Sequence, residues 1–185
     1  ALSDSLKPRI STTDSQSRGV KPSTKSIQNL WLEISEGETV LENSIPSFCV
    51  VHCMVVRILS SCSTKKILLE AQQELSDDSF RPQGREPGEK MKAGESSETA
   101  AYRADVMRIV PGSLREKVRG KSGSTSYPGL PSRYTLHWVN AYVDGLPDED
   151  FCTDEDEYKD CGAGGYSSRA VTVKKHFWTG GPIQT

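Results

Sequence analysis

The feature that most constrains the fold is the segment SFCVVHCMVVRIL at residues 47–59. Its valines are β-branched, and β-branched side chains favour extended backbone over helix. Successive side chains of a strand point to opposite faces, so Cys49 and Cys53 share one face while His52 lies on the other. We therefore predict that this segment is a central, buried strand.

The same segment contains ligands that zinc prefers. On a helix, Cys49, His52 and Cys53 would share one face and supply three of the four ligands of a zinc site. On a strand His52 points away, and the two cysteines are about 13 Å apart, too far to bridge one another. We predict buried structural cysteines, with a disulfide to a distant cysteine and a metal site as the alternatives.

Other segments of the chain alternate like strands. The clearest is RYTLHWVNAYVDG at residues 133–145, and about six short strands are expected in all. Leu68, Ala71 and Leu75 instead lie at helical spacing, which predicts one short helix at about residues 64–76. The sequence therefore predicts a mainly β fold, an antiparallel β-sandwich or barrel with one short helix and long loops.

Domain organisation follows from shifts in composition. Residues 1–26 are rich in Ser and Thr and contain five Lys or Arg against two Asp, which predicts a flexible polar arm. An arm that orders only against a partner subunit is the alternative. Residues 27–185 are predicted to form a single β-rich domain that starts with a strand around residues 30–34. Within it, residues 77–100 are charged and rich in Pro and Gly, which predicts a charged loop.

An acidic segment, residues 148–160, contains eight acidic residues and one lysine. Carboxylate oxygens are calcium ligands, although Cys152 and Thr153 occupy the positions where an EF-hand needs an oxygen ligand and a glycine. A solvated loop, closed by a disulfide between Cys152 and Cys161 in an oxidising compartment, is the prediction for this segment. The candidates for an irregular calcium site are Asp148, Asp150, Asp154 and Asp156.

A basic segment, residues 102–121, contains six Lys or Arg and two acidic residues. It is a candidate interaction surface, and an ordinary solvated loop is the alternative. A contact could be made with the acidic segment of another subunit or, weakly, with a polyanion. Nucleic acid is not favoured, because nucleic-acid motifs are absent and only Tyr102 and Tyr127 lie nearby. The candidate interaction residues are Arg103, Arg108, Arg115, Lys117, Arg119 and Lys121.

Catalytic signatures are weak throughout the chain. The three histidines, His52, His137 and His176, all fall in predicted strands, and no nucleophile motif surrounds a serine or cysteine. The glycine-rich stretches at residues 119–124 and 161–166 lack the spacing of a phosphate-binding loop. We leave enzymatic activity open, with the balance against it, and predict no cofactor. No apolar run reaches the length of a membrane span.

These observations predict a non-enzymatic binding or structural module. The leading version is a subunit of a multimeric assembly, such as a viral coat or surface-spike domain, whose partners are copies of itself or other subunits. One alternative is a secreted recognition or effector domain with a disulfide-closed acidic loop. Another is a small hydrolase or metal-dependent enzyme. The expected location is extracellular or in a virion, and the cytoplasm stays open.

Overall fold

A computed structural model describes residues 25–42, 44, 48–59, 66–103, 108–121, 126–127, 129–155 and 171–182. Ten strands in these residues form one sheet with the central order β6-β8-β2-β3-β10-β9. The helices are α1 (Ile27–Ser35) and α2 (Ser97–Arg103). The strands are β1 (Val40–Glu42), β2 (Phe48–Leu59), β3 (Lys66–Leu75), β4 (Phe80–Arg85), β5 (Gly88–Lys90), β6 (Arg108–Ile109), β7 (Arg115–Lys121), β8 (Ser132–Tyr142), β9 (Phe151–Asp154) and β10 (Val173–Pro182).

The mainly β fold class is confirmed, but the architecture differs in two respects. The sheet is open and is not closed into a barrel. It is also mixed, because β2 and β8 pair in parallel from Cys49↔Ser132 to Leu59↔Tyr142. The other paired strands run antiparallel.

The helix predicted at about residues 64–76 is wrong, because residues 66–75 form strand β3. β3 is hydrogen-bonded to β10 along one edge and to β4 along the other. Register shifts in both pairings break the two-residue period, as β-bulges do, so that Ile67, Glu70 and Gln73 are all buried. Of Leu68, Ala71 and Leu75, from whose spacing the helix was predicted, only Leu75 is fully buried in the strand.

The strand predicted around residues 30–34 is also wrong, because these residues belong to helix α1. The Ser26 side chain accepts a hydrogen bond from the Asn29 backbone, and the Asn29 side chain accepts one from the Ser26 backbone. This capping box starts a helix at Ile27. Leu30 and Glu33 then lie on the buried face of that helix.

The segment at residues 77–100 is not a continuous loop, because it contains β4, β5 and the start of α2. β2 and β3 pair only at Leu59↔Ile67 and then separate. β4 pairs with β3 and β5 pairs with β2, so this segment fills the space between the two separating strands.

Two apolar clusters cover the two faces of β2, as the strand prediction for residues 47–59 requires. On one face Cys49 and Val51 pack with Leu30 of α1. On the other face Met54 and Val56 pack in one cluster with Ala100 and Ala101 of α2, and with Val139 and Ala141 of β8. The helices of the described residues are too short or too polar to cross a membrane.

Candidate functional site

A cleft of about 1100 Å³ opens where β2 and β3 separate. Residues from α1, β2, β3, β4, β5, β8, β9 and β10 line it. The topology explains the position of the cleft. β2 and β3 pair at one end and then separate, and β4 and β5 fill the gap between them only in part. Because the cleft is concave and brings charged and aromatic side chains together, it is the first candidate for a binding site.

Glu33 anchors one part of the cleft wall. Its side chain is only 1% exposed and binds the ammonium groups of Lys25, at 2.9 Å, and Lys90. The Thr39 hydroxyl donates a further hydrogen bond to it over 3.2 Å. Burial alone would raise the pKa of Glu33, but the two lysines outweigh it and lower this pKa to about 2. Glu33 is therefore a charged structural centre that joins α1 to β5.

His176 lies between two carboxylates on another part of the wall. Its Nδ1 is 2.5 Å from Glu70 Oε1, and its Nε2 bonds to Glu155. Burial alone would lower the pKa of His176, but the hydrogen bonds to Glu155 and Glu70 outweigh it and raise this pKa to about 9. The imidazole is therefore cationic at neutral pH, which makes it unsuited to act as a general base.

A row of rings follows His176 along the wall. Trp178 stacks against His176 at a centroid distance of 5.5 Å, and Phe151 stacks against Trp178 at 6.4 Å. The indole N–H of Trp178 donates to the Thr153 hydroxyl over 2.9 Å, which fixes the orientation of its ring. The row gives the cleft a rigid, largely apolar wall beside its charged groups.

Arg85 supplies an accessible cation at the cleft. Its side chain is 56% exposed and lies 3.5 Å from Glu70 Oε2. Glu70 already accepts a hydrogen bond from Gln73 over 2.7 Å and is bound to His176. Burial opposes ionisation of Glu70, but these hydrogen bonds outweigh it and lower its pKa. The guanidinium of Arg85 thus keeps donors that a ligand can use.

Cys53 also lines the cleft but lacks the character of a nucleophile. Burial raises the pKa of its thiol to about 11, against an ordinary value of 9.0. Since only the thiolate is nucleophilic, we expect iodoacetamide at neutral pH to alkylate Cys53 about a hundredfold more slowly than an ordinary exposed thiol. Peptide mass mapping over time measures this rate, and the urea-unfolded chain is the control. Equal rates in the folded and unfolded chains would contradict the expectation.

The cysteine predictions have separate outcomes. Cys49 is buried and packs in an apolar cluster, as predicted, and Cys53 is a free thiol. Cys152 is exposed and free, whereas Cys161 lies outside the described residues. The Cys152–Cys161 disulfide therefore stays a prediction.

The described candidates for calcium ligands lie in the residues before β9 and at the end of β9. Asp148 and Asp150 are exposed residues that precede β9, and Asp154 ends it and pairs with Lys175 at 3.5 Å. Asp156 lies outside the described residues. In the described ranges, no group of three or more His, Cys, Asp and Glu side chains is arranged to hold a metal ion. A calcium site that includes Asp156 stays a prediction.

The basic segment divides into two parts. Arg108 of β6 pairs with Asp144 at 3.0 Å and lies over the ring of Tyr142. Arg115, Lys117 and Arg119 are alternate, exposed residues of β7, so they share one face of that strand. Arg103 ends α2 and Lys121 ends β7, and their side chains lie outside the described part of the chain.

Most residues of the cleft were not predicted from the sequence, and His176 was considered only as a residue of a predicted strand. Glu70 and His176 are 106 positions apart, and no motif links them. Glu33 and Glu70 carried one usable signal, since each is a charged residue inside an otherwise apolar stretch. No protein-family model matches the sequence, and no curated protein matches it.

Proposed function

We propose that the protein is a non-enzymatic binding module and that the cleft between β2 and β3 holds its ligand. The ligand is inferred to be a small organic molecule with an acidic group and an apolar or aromatic part. The observation that carries this proposal is the Arg85 guanidinium, which is half-exposed beside the rigid row of rings.

The exposed guanidinium of Arg85 supports an acidic ligand. The buried carboxylate of Glu33 is neutralised by two lysines, and that of Glu70 is neutralised by His176 and accepts a hydrogen bond from Gln73. In the described part of the chain Arg85 makes one ion pair, over 3.5 Å to Glu70, and its side chain is 56% exposed, so a ligand can reach its donors. Guanidinium groups bind carboxylates and other oxyanions through two parallel hydrogen bonds.

The chemistry of the wall supports binding over catalysis. The cationic imidazole of His176 and the protonated thiol of Cys53 are both in the wrong protonation state for nucleophilic catalysis. Buried polar groups with satisfied hydrogen bonds make a rigid wall, and rigid walls bind without large entropy costs.

Binding of anilinonaphthalene sulfonate (ANS), which joins a sulfonate to aromatic rings, tests the proposal. We expect saturable ANS fluorescence with one site per chain. Loss of a charge-assisted hydrogen bond in Arg85→Ala should weaken the affinity about tenfold or more. Trp178→Ala should weaken it as well, because it removes the centre of the ring row.

Arg133→Ala is the matched control for this experiment. Arg133 is half-exposed, pairs with Glu42 at 3.7 Å and lies outside the cleft. Its replacement should leave ANS affinity unchanged. Equal losses in Arg85→Ala and Arg133→Ala, or non-saturable binding, would contradict the proposed site.

The second candidate function is the assembly role predicted from the sequence, as a subunit of a multimeric, extracellular or virion structure. Two edge strands of opposite charge favour it. In the described residues, β7 pairs only with β8 and β9 pairs only with β10, at opposite ends of the sheet. β7 presents Arg115, Lys117 and Arg119, while exposed acidic residues flank β9. Open, complementary edges permit head-to-tail strand pairing between copies.

Sedimentation velocity over a range of protein and salt concentrations tests the assembly role. We expect association that weakens with added salt, and we expect Lys117→Glu to abolish it. Lys66→Glu makes the same charge change at an exposed position away from both edges and should have no effect. A monomer at all protein concentrations would refute assembly and leave the cleft proposal intact.

A further inference from the structure

Two histidines meet on the face of the sheet that α2 covers, outside the cleft. His52 lies on β2 and His137 on β8, and the parallel register places His137 opposite Met54. The two imidazoles are therefore diagonal neighbours on one face. His52 Nδ1 lies 3.3 Å from His137 Nε2, and the rings stack at a centroid distance of 5.6 Å.

The second ring nitrogen of His137 is also held in place. Glu116 Oε2 lies 3.5 Å from His137 Nδ1, and the Ser97 hydroxyl lies 3.4 Å from the same atom. A carboxylate can only accept a hydrogen bond, so its proximity favours a proton on Nδ1 and leaves a lone pair on Nε2. A histidine that binds a metal usually has this arrangement, with its other nitrogen donating to a carboxylate.

We propose that His52 and His137 form a two-histidine site for a divalent transition metal of the zinc class, completed by water. Bonds of about 2.0–2.1 Å at a tetrahedral angle place two nitrogen ligands roughly 3.3–3.4 Å apart. The observed separation of 3.3 Å matches this geometry. A square-planar ion would need the two nitrogens closer together, so the geometry favours zinc over copper(II).

The surroundings determine how such a site behaves. His52 is exposed, so water can reach the open positions of the metal, whereas the side chain of His137 is 12% exposed and fixed in place. No third His, Cys, Asp or Glu of the described residues converges on the pair. We therefore expect a site that exchanges its metal readily. A direct hydrogen bond between the two rings is the competing explanation of the same distance.

Isothermal titration of the full chain with Zn²⁺ tests this site. We expect one Zn²⁺ site per chain and at least a tenfold loss of affinity in His52→Ala. Because His52 is exposed, this variant should fold normally, which a thermal melt checks. His137→Ala should give the same loss, and Glu116→Gln a loss of about tenfold with an unchanged melting temperature.

Cys152→Ser is the control, since Cys152 is an exposed thiol away from the two histidines and thiols bind zinc. This variant should bind Zn²⁺ as the unmodified chain does. Absence of binding at millimolar Zn²⁺, unchanged affinity in His52→Ala, or loss of binding in Cys152→Ser would each overturn the proposal. These outcomes do not depend on the cleft, because none of the residues involved lines it.

Discussion

Replacing Glu33 with glutamine is expected to lower the free energy of unfolding by about 3–5 kcal/mol, because removal of one partner of a buried ion pair leaves the other charge uncompensated. Glu33 is 1% exposed and neutralises Lys25 and Lys90. A glutamine amide has nearly the same shape but cannot balance either ammonium group. Urea unfolding followed by circular dichroism measures the change.

Glu42→Gln is the matched control for Glu33→Gln. Glu42 pairs with Arg133 over 3.7 Å at the surface, where an ion pair contributes at most about 1 kcal/mol. Similar losses in the two variants would show that the two-lysine arrangement around Glu33 has no special role.

The pKa of Glu33 adds a test by pH. Since the folded value of about 2 lies below the ordinary 4.5, the stabilisation is present above pH 4.5 and is lost as the pH falls towards 2. Glu33→Gln should therefore reduce the dependence of stability on pH in this acidic range.

Replacing His176 with alanine is expected to cost about 3 kcal/mol, because it leaves the Glu70 carboxylate buried with weaker partners. Glu70 is 4% exposed and would keep only Gln73 and the longer contact to Arg85. Glu155→Gln removes the more exposed partner of His176 and should cost no more than about 1 kcal/mol. Urea unfolding measures both values, and a larger loss in Glu155→Gln would contradict this ranking.

The change in stability at alkaline pH tests the ion pair between His176 and Glu70. The pKa of His176 rises from 6.5 to about 9 on folding, so its stabilisation is complete below pH 6.5 and is lost as the pH rises through 9. The unmodified chain should lose stability over this range, and His176→Ala should be flatter there. Parallel pH profiles for the two proteins would argue against a cationic His176.

Local patterns were enough to predict strand β2, strand β8 and the mainly β class. The β-branched valines of β2 favour an extended backbone, and side chains along a strand alternate between its two faces. It was therefore predictable that Cys49 and His52 lie on opposite faces. α1 was predicted as a strand because the apolar residues Leu30, Leu32 and Ile34 occupy every second position, as in a strand. The Ser26–Asn29 capping box instead stabilises the start of a helix. β3 was misassigned because its register shifts depend on its pairing with β4 and with β10, and β10 is distant in sequence.

The cleft itself was beyond local reasoning. Its wall joins Glu70 of β3, His176 of β10 and Phe151 of β9, and only the pairing of these strands brings them together. Arg85 was not identified because residues 77–100, with their high charge and prolines, were predicted to be a loop, whereas Arg85 ends strand β4. Long-range strand pairing therefore brings the residues of the candidate site together, and no short sequence motif indicates the site.

The indole N–H resonances in an NMR titration with ANS test the central claim most directly. The chain has three tryptophans, and of these only Trp178 lines the cleft, while Trp31 lies on α1 and Trp138 on β8. We expect the Trp178 resonance to shift and saturate, and the Trp31 and Trp138 resonances to stay in place. A saturable shift of Trp31 or Trp138 with Trp178 unmoved would contradict binding in the cleft.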